Sequence, residues 1–240
     1  MAALFISDLH LAPERPEATE ALQRFLTATA AGAERLYVLG DLFEYWIGDE
    51  GLALPMPASV AAAFRALSES GTPVYFMHGN RDFLLGEQFA AAAGMQLLTD
   101  PTMVDLYGTR TLLMHGDTLC TDDIEYQKFR AMVRDARWQA AFLAKPVEER
   151  IRMAQSVRGE SEQAKQVKDL AIMDVAQSSV ENTLREHGYP RLIHGHTHRP
   201  ARHEHRVDGK LCERHVLSDW YEHGSYLICD TEGCRSLKIV

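Results

Sequence analysis

Short apolar runs of strand length recur along the chain, at 3–6, 35–39, 73–77, 103–106, 111–114, 191–193, 215–218 and 226–229. They are rich in β-branched, aromatic and long aliphatic residues, and such runs bounded by turn residues read as buried strands. Between the early ones the spacing becomes helical: 17–31 places Ala21, Leu22, Phe25 and Leu26 on one face, and 58–70 and 85–93 follow the same rule. Gly32, Gly71 and Gly94 stand where the C-caps of these helices belong. Strand and helix in alternation predict an α/β fold with helices packed on sheet faces. From residue 215 onward helical spacing stops, and turn signals at Glu222-His223-Gly224 and Thr231-Glu232-Gly233 predict antiparallel strands in a second sheet.

One segment interrupts this scheme. Residues 121–179 hold no strand candidate, and the spacing of Phe129, Met132, Val133, Ala136 and Ala140 predicts an inserted helical cap. From 126 to 168 there are ten Lys and Arg against five Asp and Glu, although the whole chain has a net charge of −9. That overall charge repels polyphosphate and argues against nucleic acid as a partner, so an anionic substrate has to be captured locally. The 240 residues, 46% hydrophobic and 25% charged, suit one generous domain with an insertion. No apolar run approaches the roughly 20 residues of a membrane span, and Met1 leads directly into a strand, so a cytoplasmic location is expected. Cys120, Cys212, Cys229 and Cys234 form no C-x-x-C pair, and in that compartment all four are expected as reduced, structural thiols.

Five of the apolar runs end in metal-ligand chemistry. Asp8-Leu9-His10 follows the first, Gly40-Asp41 the second, Gly79-Asn80 the third, His115-Gly116-Asp117 the run at 111–114, and Gly195-His196-Thr197-His198 the run at 191–193. Alone, a D-x-H reads as an N-cap beside a packed histidine, so the joint occurrence carries the argument. Open α/β sheets bind ligands outside the carboxyl ends of their strands, so the five loops are expected to converge, and glycine beside four of them permits tight turns. Asp8, His10, Asp41, Asn80, His115, His196 and His198 make seven donors, more than the roughly four of one tetrahedral zinc site. Two ions fit better, with Asp41 between them, and a set of carboxylate, amide and imidazole without thiolate favours Mn2+ over Mg2+, iron or zinc. Two ions roughly 3.5–4 Å apart, activating water and clamping a phosphoryl oxygen, point to phosphoester chemistry. Glu44, Asp49, Asp82 and Asp117 stand beside these blocks as orienting groups, turn formers or solvated acids.

Asp8-x-His10, Gly40-Asp41-x-x-Glu44, Gly79-Asn80-Arg81-Asp82, His115-Gly116-Asp117 and Gly195-His196-Thr197-His198 together resemble the signature of calcineurin-like metallophosphoesterases. The resemblance implies a four-layered α/β sandwich of two mixed β-sheets flanked by helices, here one unit over 1–240 with a helical cap insertion at about 121–179. It implies that Asp8, His10, Asp41 and His198 hold one ion, and Asp41, Asn80, His115 and His196 the other. Many members carry a histidine where this chain has Arg81. A guanidinium cannot act as a general acid but can clamp a phosphate, which suffices where the leaving group is itself an acidic phosphate.

The longer strings at 6–11, 40–49 and 78–84 are similar to the branch of that family that cleaves the pyrophosphate of UDP-2,3-diacylglucosamine in lipid A biosynthesis. That similarity implies water attack on the α-phosphorus, giving UMP and 2,3-diacylglucosamine 1-phosphate (lipid X), two Mn2+ ions, and a peripheral position on the cytoplasmic face of the inner membrane with no obligatory protein partner. It implies Asn80, Arg81 and His196 as catalytic residues, with Asp123, Ser161, Lys165 and Lys168 joining them in contact with the nucleotide-sugar. In the cap, Phe129, Met132, Val133, Trp138, Phe142, Ile151, Met153 and Val157 are placed to line an acyl cleft, to meet a leaflet or to pack helix on helix. Arg130, Arg134, Arg137, Lys145, Arg150 and Arg152 are expected near headgroups. A metallophosphoesterase acting on another phosphodiester or pyrophosphate is the alternative, and a non-catalytic binding protein a remoter one.

Overall fold

Alternation along the strands decides the layering. In the computed structural model, β1 (Ala3–Ile6) turns Leu4 and Ile6 to one side and Ala3 and Phe5 to the other, and β2 (Arg35–Val38) repeats this with Leu36 and Val38 against Tyr37. With β3 (Val74–Met77) and β4 (Met95–Leu98) they form a parallel sheet. Its connections are α1 (Pro16–Ala28), α2 (Pro55–Glu69) and α3 (Glu87–Ala93). Leu22 and Phe25 of α1, Phe64 of α2 and Phe89 of α3 are wholly buried against the Leu4–Ile6 face. Burial at this depth contributes about 1.5–3 kcal/mol per large apolar side chain.

A hairpin of β5 (Thr102–Leu106) and β6 (Thr109–Leu113) opens the second sheet, joined by β7 (Arg191–His194), β8 (Ala201–Val207) and β9 (Lys210–Val216) in the order β5-β6-β7-β9-β8. Phe5, Tyr37, Met77, Leu113 and Ile193 fill the space between the sheets. Leu112 and Leu192 point the other way, onto Val180 and Leu184 of a helix over Gln177–Glu186. The result is helix, sheet, sheet, helix, the four-layered α/β sandwich expected.

Between β6 and that helix lie α4 (Ile124–Val133), α5 (Ala136–Leu143) and α6 (Val147–Val167), so the last helix is α7. Asp123 and Asp135 cap α4 and α5 by accepting from backbone N–H groups of the first turn. The last helix, α7, packs Val180 and Leu184 on the second sheet. The structure describes residues 2–167, 172–221 and 224–239, with 160–167 described in backbone only.

Three strands went unread in the sequence: β4, β8, and β11 (Gly233–Lys238). β8 reads ARHEHRV and is mostly exposed at a sheet edge, so it carries no apolar run. The C-terminal strands are antiparallel as expected, yet they divide. β8 and β9 complete the second sheet, whereas β10 (Ser225–Asp230) pairs with β1 and carries β11 to the edge of the first. The expectation of four reduced thiols is corrected as well. Cys229 and Cys234 form a disulfide, because the register of the β10–β11 hairpin sets them directly opposite each other; Cys120 and Cys212 are free and buried.

Candidate metal centre

All five ligand-bearing loops leave the carboxyl ends of strands, β1, β2 and β3 in one sheet and β6 and β7 in the other. At each end the chain turns sharply. Asp8, His10, Asp41, His196 and His198 adopt left-handed backbone angles, with φ between 50° and 68°. Non-glycine residues in that region cost of order 1 kcal/mol or more each, and five of the eight such residues described belong to the seven-residue set. Gly40 and Gly79 let the loops touch. A Cβ on Gly40 would lie 2.5 Å from Gly79 N and 2.7 Å from His115 Nδ1, and one on Gly79 would overlap the Asp41 carboxylate.

The seven side chains fall into two adjoining clusters. Asp8, His10 and His198 present one ligand atom each within 4.8 Å of one another, and Asp41, His115 and His196 do the same. Nε2 of His10 lies 3.3 Å from Nε2 of His198 and 3.9 Å from Asp41 Oδ2, and Asp8 Oδ1 is 3.4 Å from His198 Nε2. On the other side Asn80 Oδ1 stands 3.0 Å from His115 Nε2 and 2.8 Å from His196 Nδ1, with Asp41 Oδ2 3.8 Å from His115. Asp41 thus faces both clusters. Asp8 Oδ1 is buried without a hydrogen-bond donor. Lone-pair atoms that converge in this way, two imidazole nitrogens and carboxylate oxygens, suit divalent cations.

Neighbouring groups fix each ligand. His115 Nδ1 donates to Leu39 O at 2.8 Å, which turns the Nε2 lone pair toward Asn80 and Asp41. His10 Nδ1 lies 3.0 Å from Glu44 Oε2, which turns its Nε2 toward Asp8. Asp82 accepts from the N–H groups of Asp41, Leu42 and Gly79 and so ties two ligand loops together. Asp117 accepts from Tyr126 Oη at 2.9 Å and Arg130 Nε at 2.6 Å, fastening α4 to the His115 loop. Asp49 accepts from Trp46 Nε1 and from N–H groups at the start of α3. Glu44, Asp82 and Asp117 are therefore orienting groups and Asp49 a loop tie.

The electrostatics follow from burial and crowding. Burial opposes the Asp8 carboxylate, but the adjoining His198, with His115 and His10, holds it well below the usual range. Burial also opposes an imidazolium at His115, yet Asp41, Asp117 and Asp8 outweigh it and raise that histidine to about 9. An imidazole that holds a proton so firmly among carboxylates offers the same lone pair to a divalent cation. His196 is driven down to about 3 by burial and by the neighbouring His115.

A family model for calcineurin-like phosphoesterases matches residues 1–200. The chain belongs to the calcineurin-like phosphoesterase family. Curated relatives named UDP-2,3-diacylglucosamine hydrolase share most of its length. The protein of Aromatoleum aromaticum is 54% identical over 97% of this chain and 95% of its own, and that of Stenotrophomonas maltophilia 54% over 97% and 96%. The Aeromonas salmonicida protein is 52% identical over 95% and 90%.

Beside the phosphoesterase centre the cap borders a cavity of about 460 Å3 that is open to solvent on one side. Asn80 and Arg81 stand at its edge, and Phe83, Phe129, Val133, Trp138, Phe142 and Met153 supply apolar wall. Trp138 and Phe142 stack, with centroids 5.2 Å apart. Of the cap residues expected to face acyl chains, Val157 also lines the cavity, whereas Met132 is exposed and Ile151 half-buried. Tyr45 and Trp46 line it too, so their place beside Asp41 is no accident of core filling alone. Arg81 lies 3.8 Å and Arg158 3.2 Å from Glu44 Oε1, which gathers two cations at the cavity mouth.

The basic residues of the cap divide. Arg137 and Arg152 are exposed, Arg130 and Arg134 are engaged by Asp117 and Gly79 O, and Lys145 pairs with Glu149. Arg150 is a correction: it is buried, bonded to Ile47 O and Glu50, because it anchors α6 to the loop before α2. Asp123 caps α4 through Tyr126 N at 3.1 Å. The side chains of Ser161 and Lys165, and Lys168 as a whole, lie outside the described residues. Sequence reasoning missed Tyr126 and Arg158, which carry no motif, and Tyr221, whose ring lies 5.2 Å from that of His10.

Proposed function

We propose that this phosphoesterase hydrolyses the pyrophosphate bond of UDP-2,3-diacylglucosamine by water attack on the α-phosphorus, releasing UMP and 2,3-diacylglucosamine 1-phosphate, with the whole chain as one catalytic unit and α4–α6 as its substrate cap. The observation that carries this reading is the largely apolar cavity lined jointly by Asn80, Arg81 and residues of α4, α5 and α6. A small hydrophilic ester has no use for such a wall, whereas two acyl chains are stabilised by about 0.8 kcal/mol for each CH2 they bury. The names of the relatives support the same substrate.

In this reading Asp8, His10, Asp41 and His198 hold one cation, and Asp41, Asn80, His115 and His196 the other, with Mn2+ favoured by the mixed oxygen and imidazole donors. When bound, such a pair lowers the pKa of water and neutralises charge gathering on phosphorus. The chain's own residues do the rest. Arg81, whose side chain is only 12% exposed, lines the cavity with its guanidinium 3.8 Å from Glu44 Oε1, and from there it clamps a phosphate and offsets transition-state charge. Asn80 and His196 orient the scissile phosphate, and Asp123, Ser161, Lys165 and Lys168 reach the sugar and phosphate part of the nucleotide-sugar. The leaving phosphate is acidic enough to depart without a proton donor, so a guanidinium serves where an imidazole would otherwise stand.

We place the protein peripherally on the cytoplasmic face of the inner membrane. Ile124, Met132 and Leu143 are exposed apolar residues on the cap, which also carries the exposed Arg137. No helix among the described residues is long and apolar enough to cross a membrane. The deciding assay measures UMP release from UDP-2,3-diacylglucosamine with Mn2+, beside a small aryl phosphodiester. The proposal expects the lipid substrate to be much preferred; turnover of the diester with the lipid substrate untouched contradicts it.

A further inference from the structure

Tyr221 is the only aromatic among the exposed large hydrophobic residues described, 47% exposed, and it stands at the metal centre. Its ring lies 5.2 Å from that of His10 at an interplanar angle of 17°, and 5.6 Å from that of His198. The loop that carries it is held firmly. Trp220 N donates to Asp8 O at 3.1 Å, and Arg15 Nη2 donates to Trp220 O at 2.8 Å while Nη1 donates to His10 O at 3.3 Å. The Arg15 guanidinium also lies over the Tyr221 ring, 4.6 Å from its centroid, so the exposed part of the ring is what it and His10 leave uncovered. An aromatic ring fixed by its neighbours to two ligand loops, yet left open to solvent, loses little entropy when something stacks on it.

The two ends of the centre therefore carry different surfaces. Asn80 and Arg81 lead into the apolar cavity, where a polar, hydrogen-bonding nucleoside would be poorly matched. Tyr221 adjoins His10 and His198. A pyrophosphate that lies across the centre with its lipid half in the cavity must send its other half elsewhere, and base-on-aromatic stacking suits the surface at Tyr221. We infer that the flank formed by Tyr221 and Arg15 is the nucleoside subsite, where the base stacks on the open part of the Tyr221 ring while its phosphate meets the centre. This inference rests on the proposed substrate and names where its nucleotide half binds.

The test uses the full chain loaded with Mn2+ and calorimetric Kd values for UMP and for ribose 5-phosphate, which lacks the base. UMP is expected to bind about tenfold more tightly in the unaltered protein, a modest value for one stacked base. Tyr221→Ala should bring the two ligands within about twofold of each other, and Tyr221→Phe should keep the advantage of UMP. Because both ligands share the phosphate, any disturbance of His10 affects them alike and leaves the ratio decisive. A UMP advantage that survives in Tyr221→Ala, or none in the unaltered protein, overturns the inference. Hydrolysis of UDP-2,3-diacylglucosamine is scored separately, so loss of the base advantage without lipid turnover rejects the proposed substrate and upholds a nucleotide flank.

Discussion

Asp82 shows what the residue scale asks of this centre. Its two oxygens receive the N–H groups of Asp41, Leu42 and Gly79, at 3.3, 2.7 and 2.8 Å, in a wholly buried position. Asp82→Ala strands three buried donors, at about 1–3 kcal/mol each, so urea unfolding should show a loss of about 3 kcal/mol or more. A loss under 1 kcal/mol would mean that water takes over the role. Arg81 poses a different question, because its side chain lines the cavity and makes only a long ion pair, 3.8 Å, with Glu44. Arg81→Ala should lower kcat by roughly 100- to 1,000-fold, about 2.7–4 kcal/mol, with melting temperature nearly unchanged, and unaltered kinetics would make it a bystander. The seven candidate ligands were legible as a group because each is an oxygen or imidazole donor just past an apolar run. The roles of Glu44, Asp82 and Asp117 were not, since a buried acid that orients a neighbour has the same sequence pattern as one that caps a turn. Tyr221 was silent for a similar reason: its importance comes from a loop after β9 that folds back over β1.

Among the elements, the helices α4, α5 and α6 wall the cavity, and in the proposed function they set substrate range. Trp138 is half-buried there, stacked on Phe142 and 6.2 Å from Phe83. Trp138→Ala should raise KM for a diacylated substrate about tenfold, the equivalent of roughly 1.4 kcal/mol of lost apolar contact, and leave a small aryl phosphodiester within about twofold. Equal effects on both substrates would show that the change had disturbed the centre instead. Helical spacing exposed this insertion in the sequence, but a stripe of apolar residues does not say whether it faces a core, a cavity or a membrane. Trp138, Phe142 and Met153 indeed do two jobs, packing on the main core and lining the cavity. Edge strands were harder. β8 alternates polar side chains on an exposed hairpin, and β11 is mostly solvent-facing, so neither has the apolar signature of β1 or β2. Pairing across that last hairpin also created the Cys229–Cys234 bridge, which a search for C-x-x-C spacing cannot find.

Across the whole molecule, two sheets with separate outer helices meet along Phe5, Tyr37, Met77, Leu113 and Ile193, and their strand ends bring the five loops together. Asp8, His10, Asp41 and Asn80 come from one sheet, and His115, His196 and His198 from the other. Sheet-to-sheet packing is therefore what brings the ligand set into one place, and the left-handed backbone at five of its members is strain that this packing sustains. The strand–helix alternation and the ligand blocks made this architecture readable, while the division of the C-terminal strands between the sheets depends on long-range pairing that no local pattern records. The account turns on these seven side chains holding two catalytic cations. Its most direct test is to strip the protein with chelator and titrate Mn2+ while following UMP release from UDP-2,3-diacylglucosamine. No turnover at zero metal, rising to a plateau at two equivalents per chain, is the predicted result; full turnover in the stripped protein would contradict it.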